Sequence, residues 1–369
     1  MSLIAWIQLL LIGAAIGAVL LLIMWWKFKQ FSFHRLVLLT VFFTFDLILF
    51  GAFTRLTDSG LGCPDWPGCY GVSNPIAALT QIREAESLMP TGPVTLSKAW
   101  IEMLHRYFAM GVGFLIIILV VWSWMKKQAI GAKISRTSIG ILILVCVQGA
   151  FGAWTVTLKL QPVIVTIHLM LGLTLLAALT YLSSLSSRLH ADANLRPVKT
   201  DVPFKKIAWF VLAVLILQIF LGGWVSTNYA VLACDDFPLC HGAWYPEMNF
   251  SEGFTLWREL GKAADGDHLN IEALRAIHWT HRVGAIFAVA AVFYLAFKLW
   301  LVSKENPTTA FKFWAIALFG LGLLQTITGM SNIILDWPLF AALLHTGGAA
   351  AMVFVMIRVV NIDHERISS

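Results

Sequence analysis

The chain has 369 residues, 59% of them hydrophobic and 12% charged, with a formal net charge of +6 and a mean hydropathy of +0.79. A soluble domain carries roughly twice that share of charged residues, so a soluble globular fold is excluded. The positive balance requires no nucleic-acid partner, because basic loops on one side of a bilayer account for it.

Nine apolar segments reach the ~20 residues that a spanning helix needs. They cover about 3–26, 35–53, 99–122, 137–155, 161–185, 206–226, 271–297, 311–332 and 337–360. The first is too long for a signal peptide, no basic residue precedes it, and Lys27 and Lys29 follow it, so it reads as a membrane helix. No Arg-rich, acid-poor transit segment is expected, which favours a bacterial plasma membrane. Alternate loops are basic: Lys27, Lys29 and Arg35; Lys126, Lys127, Lys133 and Arg136; Arg188, Arg196, Lys199, Lys205 and Lys206; Lys298, Lys304 and Lys312. The positive-inside bias then predicts an outside N-terminus and a cytoplasmic C-terminus.

That orientation leaves two long outer loops, 54–98 and 227–270, and each holds a cysteine pair at one spacing: Cys63 with Cys69, and Cys234 with Cys240. An oxidising compartment predicts two short disulfides. They serve as loop staples or in function. A four-cysteine zinc site is the less suitable reading, given the Pro-containing gaps.

The two halves repeat. Cys63 to Cys234 and Cys69 to Cys240 are offsets of 171, His105 to His281 is 176, and His168 to His345 is 177. The segment from Gln148 to Gly152 recurs as Gln325 to Gly329, again at 177. Each repeat holds four helices, an even number, so the copies share one topology. The expected fold is an all-α integral membrane protein: two pseudo-symmetric four-helix bundles, 35–190 and 206–369, preceded by an extra transmembrane helix in 1–34 that lies at the periphery.

In each repeat the histidines fall near the starts of the second and fourth helices, roughly 10–15 Å below the outer end at 1.5 Å per residue. Two imidazoles at matching depth on facing helices suit bis-histidine haem iron, and helix-bundle cores are where such sites are built. A lone intramembrane histidine is often a packing residue; four of them paired by repeat and depth point to metal ligation by His105, His168, His281 and His345. Arg106 and Arg282, each following a histidine, are placed to meet haem propionates or to snorkel to headgroups. Glu102 lies three residues before His105, on the same helix face, where the second copy has His278. A carboxylate beside one pocket only predicts that the first half does the chemistry. His278 is a polar neighbour or an alternative ligand. Asp46 is a deep acid that needs a partner, and Cys146 reads as a small packing residue.

At these residues the chain closely resembles the haem A synthase family. The resemblance rests on the stretch from Gly51-Ala-Phe-Thr-Arg55 through Ser59-Gly60 and Cys63-Pro-Asp65-Trp66-Pro67-Gly-Cys69, on Glu102-x-x-His105-Arg106, on His168, on His281-Arg282 and on His345. It covers about residues 35–360. It implies oxidation of the C8 methyl of haem O to the formyl group of haem A by successive hydroxylations. His105 and His168 would flank the substrate haem with Glu102 assisting, and His281 and His345 would ligate the iron of a haem b cofactor. The first cysteine pair would be tied to haem transfer or catalysis. Expected partners are haem O, a membrane electron donor, the protohaem farnesyltransferase that makes haem O, and further copies of the chain. The extra N-terminal helix departs from the simplest eight-span pattern. Because bis-histidine iron has no open position for oxygen, an alternative chemistry withdraws electrons from the porphyrin while water supplies the oxygen, with Glu102 stabilising a carbocation. Two rival functions share the paired histidines: a dihaem electron-transfer cytochrome, and a haem carrier without chemistry.

Overall fold

A computed structural model gives the fold and describes residues 3–28, 32–187, 202–263, 266–305 and 309–362. Among these residues the regular structure is helical: α1 Leu3–Phe28, α2 Phe33–Leu56, α3 Leu79–Leu88, α4 Leu96–Met125, α5 Lys127–Ile130, α6 Ala132–Thr157, α7 Pro162–Ser187, α8 Val202–Thr227, α9 Phe250–Gly253, α10 Ile271–Glu305, α11 Thr309–Ile334 and α12 Leu339–Val360. Nine of these described helices are long and apolar enough to cross a membrane, and they are the nine expected. The basic residues Lys29, Arg188, Arg196 and Lys199 lie outside the described residues.

Local chemistry sets the helix ends. Ser32 caps α2 by accepting the Arg35 N–H, and Thr95 caps α4 by accepting the Lys98 N–H, each satisfying a donor the helix leaves orphaned. Pro162 opens α7, where its missing N–H costs nothing. The C-terminal turns repeat one device: the N–H groups of Ser59, Leu160, Ala230 and Trp337 each donate to the carbonyl five residues back, at Thr54, Thr155, Val225 and Asn332. Asp58, Lys159, Tyr229 and Asp336 take positive φ to allow it, as this closing motif demands. α2 with α8, and α6 with α11, therefore end alike. Inside the helices the hydroxyls of Thr40, Thr44 and Thr54 donate to the carbonyl four residues back, which removes a bare polar group from an apolar setting.

Packing divides the chain into two compact units, Met1–Leu160 with Thr174–Leu189 and Gln161–Leu173 with His190–Ser369. The division passes within α7, and the expected bundle boundary between 190 and 206 falls largely outside the described residues. In the first unit α4 is the hub on which α1, α2 and α6 pack. In the second, α10 packs on α8 and α11, and α12 on α11 and α8. Its core includes Leu215, Leu295, Phe311, Leu318 and Met356.

The extra helix packs by one face on α4 and leaves Leu10, Leu11 and Leu22 exposed. On the packed face Leu9 shares a buried cluster with Cys63, Cys69, Met103 and Tyr107. Cys146 departs from expectation: it is a free thiol on an exposed face of α6.

Candidate functional site

The two long loops fold to one plan. Cys63 is bonded to Cys69 and Cys234 to Cys240, so these four sulfurs form staples and not a thiolate metal site. Within the first loop the Asp65 carboxylate accepts the N–H groups of Tyr70 and Gly71 at 2.6 and 2.7 Å. In the second, Asp236 accepts those of His241 and Gly242 at 2.7 and 2.8 Å. Tyr70, Gly71, His241 and Gly242 all have positive φ, which turns successive N–H groups inward onto the acid. The Gly242 N–H, followed by that of His241, holds the Asp236 carboxyl below its usual value. Burial, then the nearby Asp65 and Glu84 charges, pushes the Tyr70 phenol up.

The arginine after each leading histidine reaches into its loop. Arg106 donates from Nη1 to the Asp65 carbonyl at 2.9 Å and the Gly68 carbonyl at 2.5 Å. Arg282 donates to the Asp236, Leu239 and Cys234 carbonyls at 2.9, 2.8 and 2.7 Å. A planar fork with five N–H groups suits several carbonyls at once. Loop carbonyls are thus prominent among the partners of both arginines.

Glu102 and His278, the unlike pair, also differ in what they hold. Glu102 is 4% exposed; one carboxylate oxygen pairs with Arg106 at 2.5 Å and the other accepts the Cys63 N–H at 2.8 Å. It fastens the disulfide loop to α4. His278 is equally buried at 3%. Its Nε2 accepts the Arg282 Nε–H at 3.2 Å, which makes it a polar neighbour of the arginine.

Each of the four ligand candidates falls within the first three turns of its helix. His105 is nine residues into α4, His168 six into α7, His281 ten into α10 and His345 six into α12, and all four are half-buried. His105 belongs to the first compact unit; His168, His281 and His345 belong to the second. Glycines border the rings. A Cβ on Gly51 would lie 3.1 Å from Cε1 of His105, one on Gly222 2.9 Å from Cε1 of His281, and one on Gly329 3.3 Å from Cε1 of His345. Phe50 meets the His105 ring edge-on at 5.9 Å between centroids, and Phe50 and Phe108 are 6.1 Å apart.

The second unit adds polar partners that sequence reasoning missed. The Gln218 amide lies 2.9 Å from Nδ1 of His281, and Thr328 Oγ1 lies 2.9 Å from Nδ1 of His345. Gln325 Nε2 donates to the His345 carbonyl at 2.9 Å. Gly284 and Gly348, each one turn beyond a histidine, leave the room these glutamines occupy. The sequence signal was available: Gly51 and Gly222 share the cysteine offset of 171, and Gln325 marks the repeat. With Nδ1 of each ring engaged, Nε2 is the nitrogen left to ligate. A neutral imidazole with its Nδ1 fixed is the usual form of a metal ligand. The donor chemistry of these two rings suits a metal that takes nitrogen ligands.

Three comparisons bear on the chain as a whole. The profile of the COX15-CtaA family, described as a cytochrome oxidase assembly protein, matches residues 34–357. A heme A synthase of Shewanella oneidensis is 37% identical over 324 residues, spanning 88% of this chain and 94% of its own. Heme A synthases of Brucella anthropi and Brucella ovis are 28% and 27% identical, each across 81% of this chain and across 83% and 82% of their own lengths.

Proposed function

Because the chain belongs to the COX15-CtaA family of cytochrome oxidase assembly proteins, we propose that it works as a haem A synthase. It is a multi-pass membrane enzyme that oxidises the C8 methyl of haem O to the formyl group of haem A. The observation that carries the reading to particular residues is the repeated pairing of a glycine with three of the four rings: Gly51 with His105, Gly222 with His281, Gly329 with His345.

The first half is the catalytic one, with His105 and His168 flanking the substrate haem O. The second half holds haem b, its iron on His281 and His345; when bound, that group supplies a one-electron redox centre. Gln218 and Thr328 orient those two rings. Glu102 acts from the first half through the loop it holds, since its two oxygens are engaged by Arg106 and the Cys63 N–H. Arg106 and Arg282 fix the loops at the propionate edge of each site. The disulfide loop of the first half then borders the substrate, which accords with a role for Cys63 and Cys69 beyond stapling.

The alternation of basic loops supports an outside N-terminus and a cytoplasmic C-terminus in a bacterial plasma membrane. Haem O is too apolar to cross water freely, so the protohaem farnesyltransferase that makes it is the natural membrane neighbour. A membrane electron donor and self-association complete the set of partners.

The deciding experiment is co-expression with a haem O-producing farnesyltransferase, followed by haem extraction and mass analysis, beside a His105→Ala control. Haem A or its hydroxylated precursor in the wild type, and neither in the control, is expected. Unaltered haem O and haem b alone, with two low-spin haems retained, would instead mark an electron-transfer cytochrome or a carrier.

A further inference from the structure

The two repeats treat their leading histidines differently. In the second, His281 meets Gln218 and His345 meets Thr328. At the matching positions of the first repeat, by the offsets of 171 and 177, stand Leu47 and Phe151, and opposite Leu47 the place of Gly284 is taken by Phe108.

Thr328 is placed to fix a proton. Its hydroxyl has one hydrogen and a carbonyl to give it to, that of Leu324 at 2.7 Å. With a metal on Nε2 of His345, Nδ1 carries the imidazole proton and the Thr328 oxygen, 2.9 Å away, accepts it. Thr328 is 4% exposed, so water does not replace this bond. Gln218 is held differently at His281: its Nε2 lies 2.9 Å from Nδ1 and donates to the His281 carbonyl at 3.0 Å, so turning Oε1 toward the ring would set it against that carbonyl.

We propose that Thr328 is a positioning residue that locks the tautomer of His345 in the second repeat and sets the reduction potential of the haem held there. The proposal rests on the assignment of His281 and His345 as the ligands of that haem. An acceptor on Nδ1–H makes the imidazole a stronger donor, which favours ferric over ferrous iron. Removing the acceptor weakens that preference and raises the potential. The first repeat carries Phe151 at the position of Thr328.

The test uses the purified full-length protein, expressed without a source of haem O. The haem followed is the low-spin species lost in His345→Ala. Its midpoint potential is measured by spectroelectrochemistry and its ligand field by electron paramagnetic resonance, in wild type, Thr328→Val, Thr328→Ser and Thr328→Ala. Thr328→Val, nearly isosteric, is expected to shift the ferric-to-ferrous preference about tenfold, which is about 59 mV upward for a one-electron couple. Thr328→Ser, which keeps the acceptor, returns the wild-type value. Thr328→Ala removes the same acceptor with less bulk, moves the potential in the same direction, and keeps the proposal testable if Thr328→Val does not accumulate. Wild-type potentials and spectra in both Thr328→Val and Thr328→Ala overturn the proposal. A wild-type protein without a bis-imidazole signal, or one that keeps it in His345→Ala, overturns the ligand assignment beneath it.

Discussion

Replacing Glu102 by Gln separates a loop-holding role from direct participation in chemistry. The carboxylate receives two donors, Arg106 Nη2–H at 2.5 Å and the Cys63 N–H at 2.8 Å. A glutamine has one acceptor oxygen, so it keeps one of these bonds and sets an N–H₂ against the other donor. Losing a hydrogen bond to a charged group costs about 1.5–3 kcal/mol. Leaving the Arg106 charge without its counter-ion in a buried place tends toward the larger, roughly 3–5 kcal/mol, cost of breaking a buried pair. Arg106 keeps its two loop carbonyls, so about 2 kcal/mol is the working figure, or about a 30-fold rise in local opening. Hydrogen exchange read by mass spectrometry over the Cys63–Cys69 loop, in wild type and Glu102→Gln, measures it directly. The loop of the second half, held by Arg282, serves as internal control and is expected to stay unchanged. If exchange in the first loop is unaltered while haem A production stops, Glu102 acts on the substrate itself and the loop-holding account is wrong.

The glycines that border the rings give a ranked series. Gly222→Ala places a Cβ 2.9 Å from the His281 ring, against 3.1 Å for Gly51→Ala at His105 and 3.3 Å for Gly329→Ala at His345, so haem content by pyridine haemochrome should fall most in Gly222→Ala and least in Gly329→Ala. The Asp236 carboxyl titrates below its usual value because backbone N–H groups favour its charged form. Its contribution to the second loop is thus complete at neutral pH and is lost as pH falls through a value under about 4; the loop's protection factors should hold level down to about pH 5 and drop below it, and Asp236→Asn should remove that acid dependence. The α1 helix should be separable from α4 by size alone: a Cβ on Gly13 would sit 2.6 Å from the Met110 Cβ, so Gly13→Leu should raise proteolysis and exchange in α1. The Gln8 contact to Ser73, at 2.6 Å, is a side-chain hydrogen bond between α1 and the first outer loop worth about 1 kcal/mol, and Gln8→Leu should have only a small effect on the same readout.

Much of the architecture was legible because a bilayer imposes a simple rule. Each apolar run long enough to span had to be a helix with its backbone bonds closed internally, and the nine runs became nine helices. Helix ends went further than hydropathy alone suggests: α10 runs to Glu305 and α4 from Leu96 to Met125, since polar residues at an interface continue a helix without penalty. The cysteine pairs and the histidines were placed by the repeat. What the sequence could not disclose was direction. Arg106 and Arg282 follow histidines in the chain but point into loops some 40 residues distant, a matter of rotamer and loop path. Gln218 and Thr328 were hidden for the same reason: polar residues in apolar spans look alike until the neighbouring helix is known. Glu102 was noticed for its charge, and only the fold shows that both its oxygens are engaged.

The inequality of the repeats extends to α1, and it falls on the same side as Glu102. Against α4, the helix brings Gly13 to Met110, Gly17 to Phe114 and Ile16 to Gly111, the small-residue contact by which membrane helices approach closely when apolar surface alone gives no preference for protein over lipid. The positions of α10 that correspond to Met110 and Gly111 are Ile286 and Phe287, and these are 69% and 67% exposed. The same scaffold thus carries a helix on one copy and leaves that face open on the other. Where α1 reaches the end of α4 it meets the first disulfide loop: Trp6 packs edge-on against Trp66 at 5.9 Å, and Gln8 accepts from Ser73. Tyr107 donates to the Ser73 carbonyl from the other side at 2.5 Å. The first loop is therefore held by α1, by Tyr107, by Glu102 and by Arg106, where the corresponding arginine of the second loop works beside a neutral histidine in place of the glutamate. Restraint is thus concentrated on the first loop, while Gln218 and Thr328 meet the histidines of the second repeat. The two copies have diverged at different places, one at its loop and the other beside His281 and His345, which an exact duplication would not provide.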